Sequence, residues 1–588
     1  MLCRRSPELG KRSPGRKLPG RKLLCELLED RRMLSGLTLI THGWNSGVDD
    51  WVDSMANEIR ARVPDVPGTD PPDWLSAEYT LEIQGSSPQN ITGHLLYLGA
   101  DGSTADAMQA TSGEVVIKLD WSAIDTQSES ASFVGDYVSN LLLSNFGAPE
   151  YFDFLGGPIH LIGHSRGASL NTTIAERLAE RGVWIDQFTT LDPHPVSPDD
   201  PINIWDNVRF ADNYWEDNSF LHLFDGEEVP DAANLYFPSD SLPGGYGTFS
   251  GGNHSDIHLW YHGTIDTDGP IDDGSASVSE DAGWYDGDMG PRDQIGFYYS
   301  RIGGGERTGD VSAGLASSGN RVVSAQLDTQ WANLESPLLY SGDSNVNQGT
   351  SIPIAYRYQA TTSCDISFGY DSDRNPYNGS NDVATINKPA TSSGSEFDNG
   401  SSEVHYFDTT SVPSGMHYLY AKITTAGHTR YAYTAGQVVV VFPGDANRDG
   451  SVDVSDLGIL AANYGSSGAV WDDGDFNNDT KVDVSDLGIL ATYYGQTLLP
   501  PTSSTAAVSM EVIEPEILPA DVDMVASSPL VVPSNHKIKV RHNSPRNDVS
   551  LQARYWMMMS EAEDDDDARE AVFAGIGRAK EVFWLYDK

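Results

Sequence analysis

The sequence predicts an α/β domain, then an all-β sandwich, then a small helical module built on a repeat. Three observations carry this reading. Between Gly36 and Gly304, short apolar runs (37-LTLITHG-43, 114-EVVIKLDW-121, 158-PIHLIGHS-165, 187-QFTTLDPH-194) alternate with segments of helical spacing, as in a parallel sheet with crossover helices. From 305 to 442, runs such as 352-IPIAYRYQA-360, 365-DISFGYD-371, 416-MHYLYAKIT-424 and 430-RYAYTAGQVVVVF-442 alternate with period two between Gly, Asn and Ser turns. That texture suits an immunoglobulin-like sandwich. Finally, 444-GDANRDGSVDVSDLGILAANYG-465 returns as 474-GDFNNDTKVDVSDLGILATYYG-495.

The expected boundaries are a basic leader over 1–35, the α/β domain over 36–304, the sandwich over 305–442 and the repeat module over 443–497. Residues 498–588 form a Pro/Ser/Val-rich, largely disordered tail that ends in an amphipathic helix, 568-AREAVFAGIGRAKEVFWLYD-587. Two short strands, 79-YTLEIQG-85 and 93-GHLLYLG-99, read as an insertion between the first two strands of the α/β domain.

Charge narrows the function. The net charge is −48, yet the first 35 residues hold ten Lys/Arg against four Asp/Glu, so the acidity lies in the body of the chain. Such a body argues against nucleic acid and anionic surfaces as partners. No run of 18 apolar residues offers a transmembrane segment. Cys3, Cys25 and Cys364 are too few for a disulfide framework.

The stretch 163-GHSRG-167 raises the first chemical question. A bare G-x-S-x-G decides little when Gly fills 57 of 588 positions. Its setting decides more. A buried strand precedes it, and Ala168, Ile174, Ala175 and Leu178 follow at helical spacing. Strand, turn and helix are what a nucleophile elbow at Ser165 requires, with glycines where Cβ atoms have no room; an ordinary βα turn is the bland alternative. A nucleophilic serine also needs a base, an acid to orient it, and donors for the oxyanion. Asp192, in 190-TLDPH-194, stands at the end of an apolar strand, where it either meets an imidazole or caps a turn. His254, His258 and His262 compete in 252-GNHSDIHLWYHGTI-265, and their spacing of four does not choose among them. His254 has the Gly/Asn-rich approach, whereas His258 and His262 lie among apolar neighbours and suit packing. Upstream, Gly43 lets the backbone turn closely, so the amides of Trp44 and Arg166 are the natural oxyanion donors.

The set HGW, DW, GHSRG, LDP and NH ahead of WY resembles the lipase family of α/β hydrolases typified by pancreatic and lipoprotein lipases. The resemblance spans about 36–265 and implies an α/β-hydrolase fold acting on carboxylic esters. It makes Ser165 the nucleophile, Asp192 the acid and His254 the base, with no cofactor for catalysis. Arg166 departs from the family's apolar residue, and the family's disulfides cannot form. A lid is not recognisable, although 213-NYWEDNSFLHLFDGEEVPDAANLYFPSD-240 is long enough to cover the site. In the leader, 27-LLEDRRMLS-35 resembles the LEPR-x-L-L sorting element of planctomycete surface and secreted proteins, with Asp30 in place of proline. It implies a secreted or surface-attached protein.

In the repeat, Asp445, Asn447, Asp449, Ser451 (through its carbonyl), Asp453 and Asp456 occupy positions 1, 3, 5, 7, 9 and 12 of a loop. Asp475, Asn477, Asp479, Lys481, Asp483 and Asp486 repeat them. Alternating oxygen donors closed by a carboxylate on the outgoing helix suit Ca²⁺ in a structural role. Gly450 fills the turn position of the first loop and Thr480 that of the second. With no entering helix and Asp at position 12, the pair resembles the type I dockerin module, which implies a cohesin-type partner. The expected function is a tethered serine esterase. The alternatives are a non-enzymatic adhesion or scaffold protein with a vestigial hydrolase domain, and a glycosidase with paired carboxylates, for which no motif converges.

Overall fold

The computed structural model describes residues 36–497 apart from short breaks, the longer of them at 63–75 and 300–321. The leader, the tail and its terminal amphipathic stretch lie outside the described residues.

The apolar run after Gly36 forms β1 (Gly36–Thr41), followed by α1 (Trp51–Ala61), β2 (Ser76–Gln84), β3 (Thr92–Leu98), β4 (Thr104–Asp106) and β5 (Glu114–Asp120). Then come α2 (Ser130–Leu143), β6 (Ile159–His164), α3 (Arg166–Ala179), β7 (Gln187–Leu191), β8 (Ala211–Glu216), β9 (Ala233–Phe237) and α4 (Gly252–His262). The strands make one sheet in the order β4-β3-β2-β5-β1-β6-β7-β8-β9, parallel from β2 to β9 and antiparallel at β3 and β4. β1, β5, β6 and β7 are buried throughout or nearly so, as strands covered on both faces must be. α2 and α3 cover one face through Val134, Val138, Leu170 and Ile174. α1 and α4 cover the other through Trp51, Val52, Ile257 and Trp260.

The expected fold class is corrected by this architecture. Among the described residues the chain holds twenty-one strands in several sheets against seven α-helices, and it is mostly β rather than an α/β hydrolase followed by a helical dockerin. The physical reason is local. Helical spacing was read through the whole of 36–304, but among the described residues no helix connects β7 to β8 or β8 to β9. In the repeat module each helix is only ten residues long, Val454–Asn463 and Val484–Tyr493, and the Asp/Asn loops take up most of the rest. The strand pair read as an insertion is also part of the sheet, since β2 lies parallel beside β5 and β3 extends the edge.

A four-stranded and a six-stranded sheet follow. Ile354 and Phe407 on strands Ser351–Gln359 and Ser401–Asp408 share one core with Phe368 and Leu419 on strands Cys364–Asp371 and Gly415–Thr425. This body is fastened to the first sheet by a buried polar seam. The Arg430 guanidinium donates to the Asp186 carboxylate (2.5 Å), the Trp184 carbonyl (2.9 Å) and Asn333 Oδ1 (3.0 Å). Asn333 in turn donates to the Gly182 carbonyl and accepts from the Trp184 amide. The Tyr431 amide donates to the Gly156 carbonyl at 2.7 Å. Beyond the seam, Val441 and Phe442 lead into the core of the repeat module with Trp471, Phe476, Leu460 and Leu490. A Cβ on Gly444 would stand 3.1 Å from Leu490 Cα, and one on Gly474 would stand 2.9 Å from Leu460 Cα. Each loop's opening glycine thus packs on the other copy's helix.

Candidate active site

Ser165 occupies the turn between β6 and α3 with φ 53° and ψ −127°, a region that costs an L-residue about 1–3 kcal/mol. The surroundings hold it there. A Cβ on Gly163 would lie 2.8 Å from the Ala168 backbone, one on Gly167 2.5 Å from the Thr41 carbonyl oxygen, and one on Gly43 2.6 Å from Ser165 Cβ. Each of these glycines permits a close approach that any side chain would block. The Ser165 amide donates to the Leu191 carbonyl (2.9 Å), which ties the elbow to the end of β7. Asp192 comes next, also left-handed at φ 44°. Among the described non-glycine residues eight have positive φ, and three of them, Asn45, Ser165 and Asp192, cluster at this end of the sheet.

Asp192 is fully buried, and its two oxygens are divided. Oδ1 accepts from the Glu216 amide (2.7 Å), and Oδ2 accepts from His254 Nδ1–H (2.5 Å). A proton on Nδ1 leaves the lone pair of His254 on Nε2, the nitrogen a general base uses. Burial, and then the charge of Glu216, push the Asp192 carboxyl well above its usual range. Burial, then His194 and His258, hold the His254 imidazole well below the ordinary histidine value. Both shifts disfavour separated charge and keep the imidazole neutral at pH 7.

The three histidines of α4 part company. His258 stacks on Trp51 (ring centroids 4.4 Å) with Nδ1 3.3 Å from the Asp273 carboxylate. His262 lies 2.9 Å from Glu58. Only His254 reaches Asp192. His164, immediately before the serine, donates from Nε2 to the His254 carbonyl (3.1 Å), and the two rings lie 4.5 Å apart. Sequence reasoning passed over His164, for which the one signal was its place beside the serine. Asp212 joins a separate buried network, accepting from Thr189 (2.6 Å), Gln187 (2.8 Å) and Tyr214 (2.9 Å).

The loop after β1 is also fixed. The Trp121 amide donates to His42 Nε2 (3.2 Å), which leaves the His42 proton on Nδ1 to donate to the Gly43 carbonyl (2.8 Å). The Trp121 indole donates to the His42 carbonyl (2.9 Å). In a planar trans peptide the C=O and N–H point opposite ways, so holding the Gly43 carbonyl also sets the direction of the Trp44 amide. The Arg166 amide opens α3, where the first N–H groups lack intrahelical partners. The sequence shows His42 and Trp121 only as members of the HGW and DW motifs, with no role assigned to either. The stretch read as long enough for a lid is corrected in part, because Ala211–Glu216 and Ala233–Phe237 are strands of the main sheet.

In the repeat module, Asp445 Oδ1 and Oδ2 accept from the amides of Asp449 (3.2 Å) and Gly450 (2.9 Å). Asp456 Oδ1 accepts from Ala446 and Asn447, and Oδ2 from Asp453. The second copy repeats this with Asp475 on Asp479 and Thr480, and Asp486 on Phe476, Asn477 and Asp483. Asn447 and Asp449, like Asn477 and Asp479, accept from the second amide onward, while Asp453 and Asp483 cap their helices through Ser455 and Ser485. Ser451 and Lys481 each contribute backbone to a bridge, with Thr497 and Ser467. Burial, with added pressure from Asp456 and Asp449, raises Asp445 to about 6 against the Gly450 amide. The oxygen donor set suits a hard cation. No group of three or more His, Cys, Asp or Glu among the described residues is gathered closely enough to hold a metal. Also among these residues, no helix is long and apolar enough to cross a membrane.

No protein-family model matches the chain, and no curated protein matches it. Among solved structures, the sulfur carrier protein SoxY from Chlorobium limicola f thiosulfatophilum aligns at 14% identity over 18% of this chain and 82% of its own, with a TM-score of 0.12. Wild-type OgpA from Akkermansia muciniphila aligns at 7% identity over 68% of this chain and 93% of its own, with a TM-score of 0.13.

Proposed function

We propose that the chain is a serine hydrolase of carboxylic esters. The observation that carries this reading is the His254–Asp192 hydrogen bond beside a serine held in a strained elbow. Ser165 Oγ attacks the ester carbonyl while His254 Nε2 takes its proton. Asp192 keeps the imidazole in the required tautomer and stabilises the imidazolium as it forms. The amides of Trp44 and Arg166 stabilise the oxyanion, each worth about 3–4 kcal/mol in comparable sites. Collapse breaks the ester C–O bond, and His254 returns the proton to the departing alcohol. Water, activated by the same base, then releases the acid. No metal takes part in this chemistry.

The motif resemblance to lipases supports an ester substrate, and the repeated Asp/Asn loops support a dockerin-like, calcium-stabilised module that binds a cohesin-type domain. With the leader's sorting-type motif, these favour a secreted or surface-attached enzyme. Activity-based labelling tests the central claim. A fluorophosphonate should label the full-length protein at Ser165 and leave Ser165→Ala unlabelled. A folded chain that never labels would instead support the scaffold protein.

A further inference from the structure

The residue after the nucleophile is Arg166, where the lipases the motifs resemble carry an apolar side chain. It is completely buried. Its Nε and Nη2 donate to Asp200 Oδ2 at 2.9 and 2.7 Å. Its Nη1 donates to the carbonyls of Asp125 (2.5 Å) and Gln127 (2.8 Å). The guanidinium carbon lies 5.4 Å from the Trp44 ring and 5.6 Å from the Trp121 ring, within the range at which a cation is attracted to an aromatic face. One planar group thus joins the loop after β1, the loop after β5 and the segment at Asp200 to the first residue of α3. A lysine could not do this, because its point charge lacks the fixed fork that serves a carboxylate and two carbonyls together.

We propose that Arg166 is the positioning residue of the oxyanion site. Its guanidinium holds Trp44 in place through the indole, and so fixes the Trp44 amide relative to the Arg166 amide. Two features converge on the same peptide. From one side His42 sets the Gly43 carbonyl, as described above, and from the other Arg166 sets the side chain that follows it. Trp121 is common to both, since its indole donates to the His42 carbonyl and its ring lies near the guanidinium. Asp125 serves the same loop, with its carbonyl on Arg166 and its carboxylate accepting from the Ser46 amide (3.1 Å). An oxyanion donor acts only when it is preorganised at the place where charge develops, and losing one outright costs about 10²–10³ in kcat. Loosening one should therefore lower kcat rather than raise KM.

The proposal rests on Ser165 being the nucleophile, and the experiment separates the two. In the full-length protein, Arg166→Lys, Trp44→Leu and the double variant Arg166→Met/Asp200→Leu are compared with wild type. Trp44→Leu keeps the backbone amide and every Arg166 hydrogen bond. The double variant removes both partners, so no lone charge stays buried. Turnover of a short-chain p-nitrophenyl ester, the rate of fluorophosphonate labelling and thermal melting are measured. The expected result is a fall in kcat of about 10-fold or more in each folded variant, with labelling slowed in parallel and KM within about threefold. Wild-type labelling at Ser165 together with unchanged kcat in folded Arg166→Lys and Trp44→Leu would overturn the positioning role and leave the hydrolase standing. If wild type itself does not label, the hydrolase reading falls and this inference with it. Should the Arg166 variants fail to fold, Trp44→Leu alone decides.

Discussion

Asp192→Asn separates orientation from charge, because the two carboxylate oxygens have different partners. Oδ1 serves the Glu216 amide at 2.7 Å and Oδ2 serves His254 Nδ1–H at 2.5 Å. An asparagine has one acceptor and one donor end. If its oxygen stays on the Glu216 amide, its NH₂ faces Nδ1. The imidazole must then shift its proton to Nε2, where it can no longer accept from Ser165. If the amide flips, its NH₂ opposes the Glu216 N–H, leaving buried donors unsatisfied at about 1–3 kcal/mol. The first arrangement is cheaper and is catalytically dead as a base. The expected loss in kcat is therefore roughly 10⁴-fold, or about 5.5 kcal/mol of transition-state stabilisation. Stability should change far less. Burial and the Glu216 charge already make the carboxylate costly, and a neutral amide removes that cost. The assay is turnover of a short-chain p-nitrophenyl ester beside a thermal melt. A natively melting Asp192→Asn enzyme within tenfold of wild type would refute the assignment of the orienting acid.

Four further outcomes are expected. Because burial and the neighbouring histidines hold His254 below the ordinary value of about 6.5, the acid limb of kcat/KM should have its midpoint below pH 6.5. The same depressed value means that acidification through that range also costs the folded state, and a limb centred above 6.5 would contradict the burial argument. Gly167→Ala should destabilise by about 1–3 kcal/mol and abolish fluorophosphonate labelling, since its Cβ would meet the Thr41 and His42 carbonyl oxygens at 2.5 and 2.6 Å. Gly458→Ala, whose Cβ would meet nothing within 4 Å, should stabilise by about 0.5–1 kcal/mol, and thermal melts of both variants check the contrast. Calorimetry of the full chain should show one transition that rises with calcium and falls with EGTA while ester turnover is unchanged. A calcium-insensitive profile would remove the metal from the repeat module.

The local strand signals were legible in the sequence. The apolar runs at 37, 114, 158 and 187 all form strands, because each is bounded by Gly, Pro or a polar turn and is covered on both faces. The fold class was not legible. Periodicity reports whether a face is buried but not what covers it, so it did not show that no helix stands among the described residues between β7 and β9, and it set 79–85 apart from a sheet it belongs to. At the candidate site, Ser165, Asp192 and His254 announce themselves through short motifs with local geometry. His42, Trp121 and His164 stand inside the HGW, DW and GHSRG motifs without showing what they do, and Asp200 stands in none, because their roles arise only when distant loops meet. The same holds for Arg430 and Asp186, 244 residues apart in sequence.

The Arg430 seam has a mechanical consequence. Removing one partner of a buried charged pair costs about 3–5 kcal/mol, so opening this joint, which would part Arg430 from Asp186, would carry a comparable cost. A β-rich body fastened this way is a bracket and not a loose linker. Val441 and Phe442 continue the connection into the core of the repeat module. If the module binds a partner as proposed, that contact would set the heading of the Ser165 site, and not merely its distance. If the chain is the hydrolase proposed, it would work a fixed sector of its surroundings, and adding flexible residues at the joint would widen that sector without touching the chemistry.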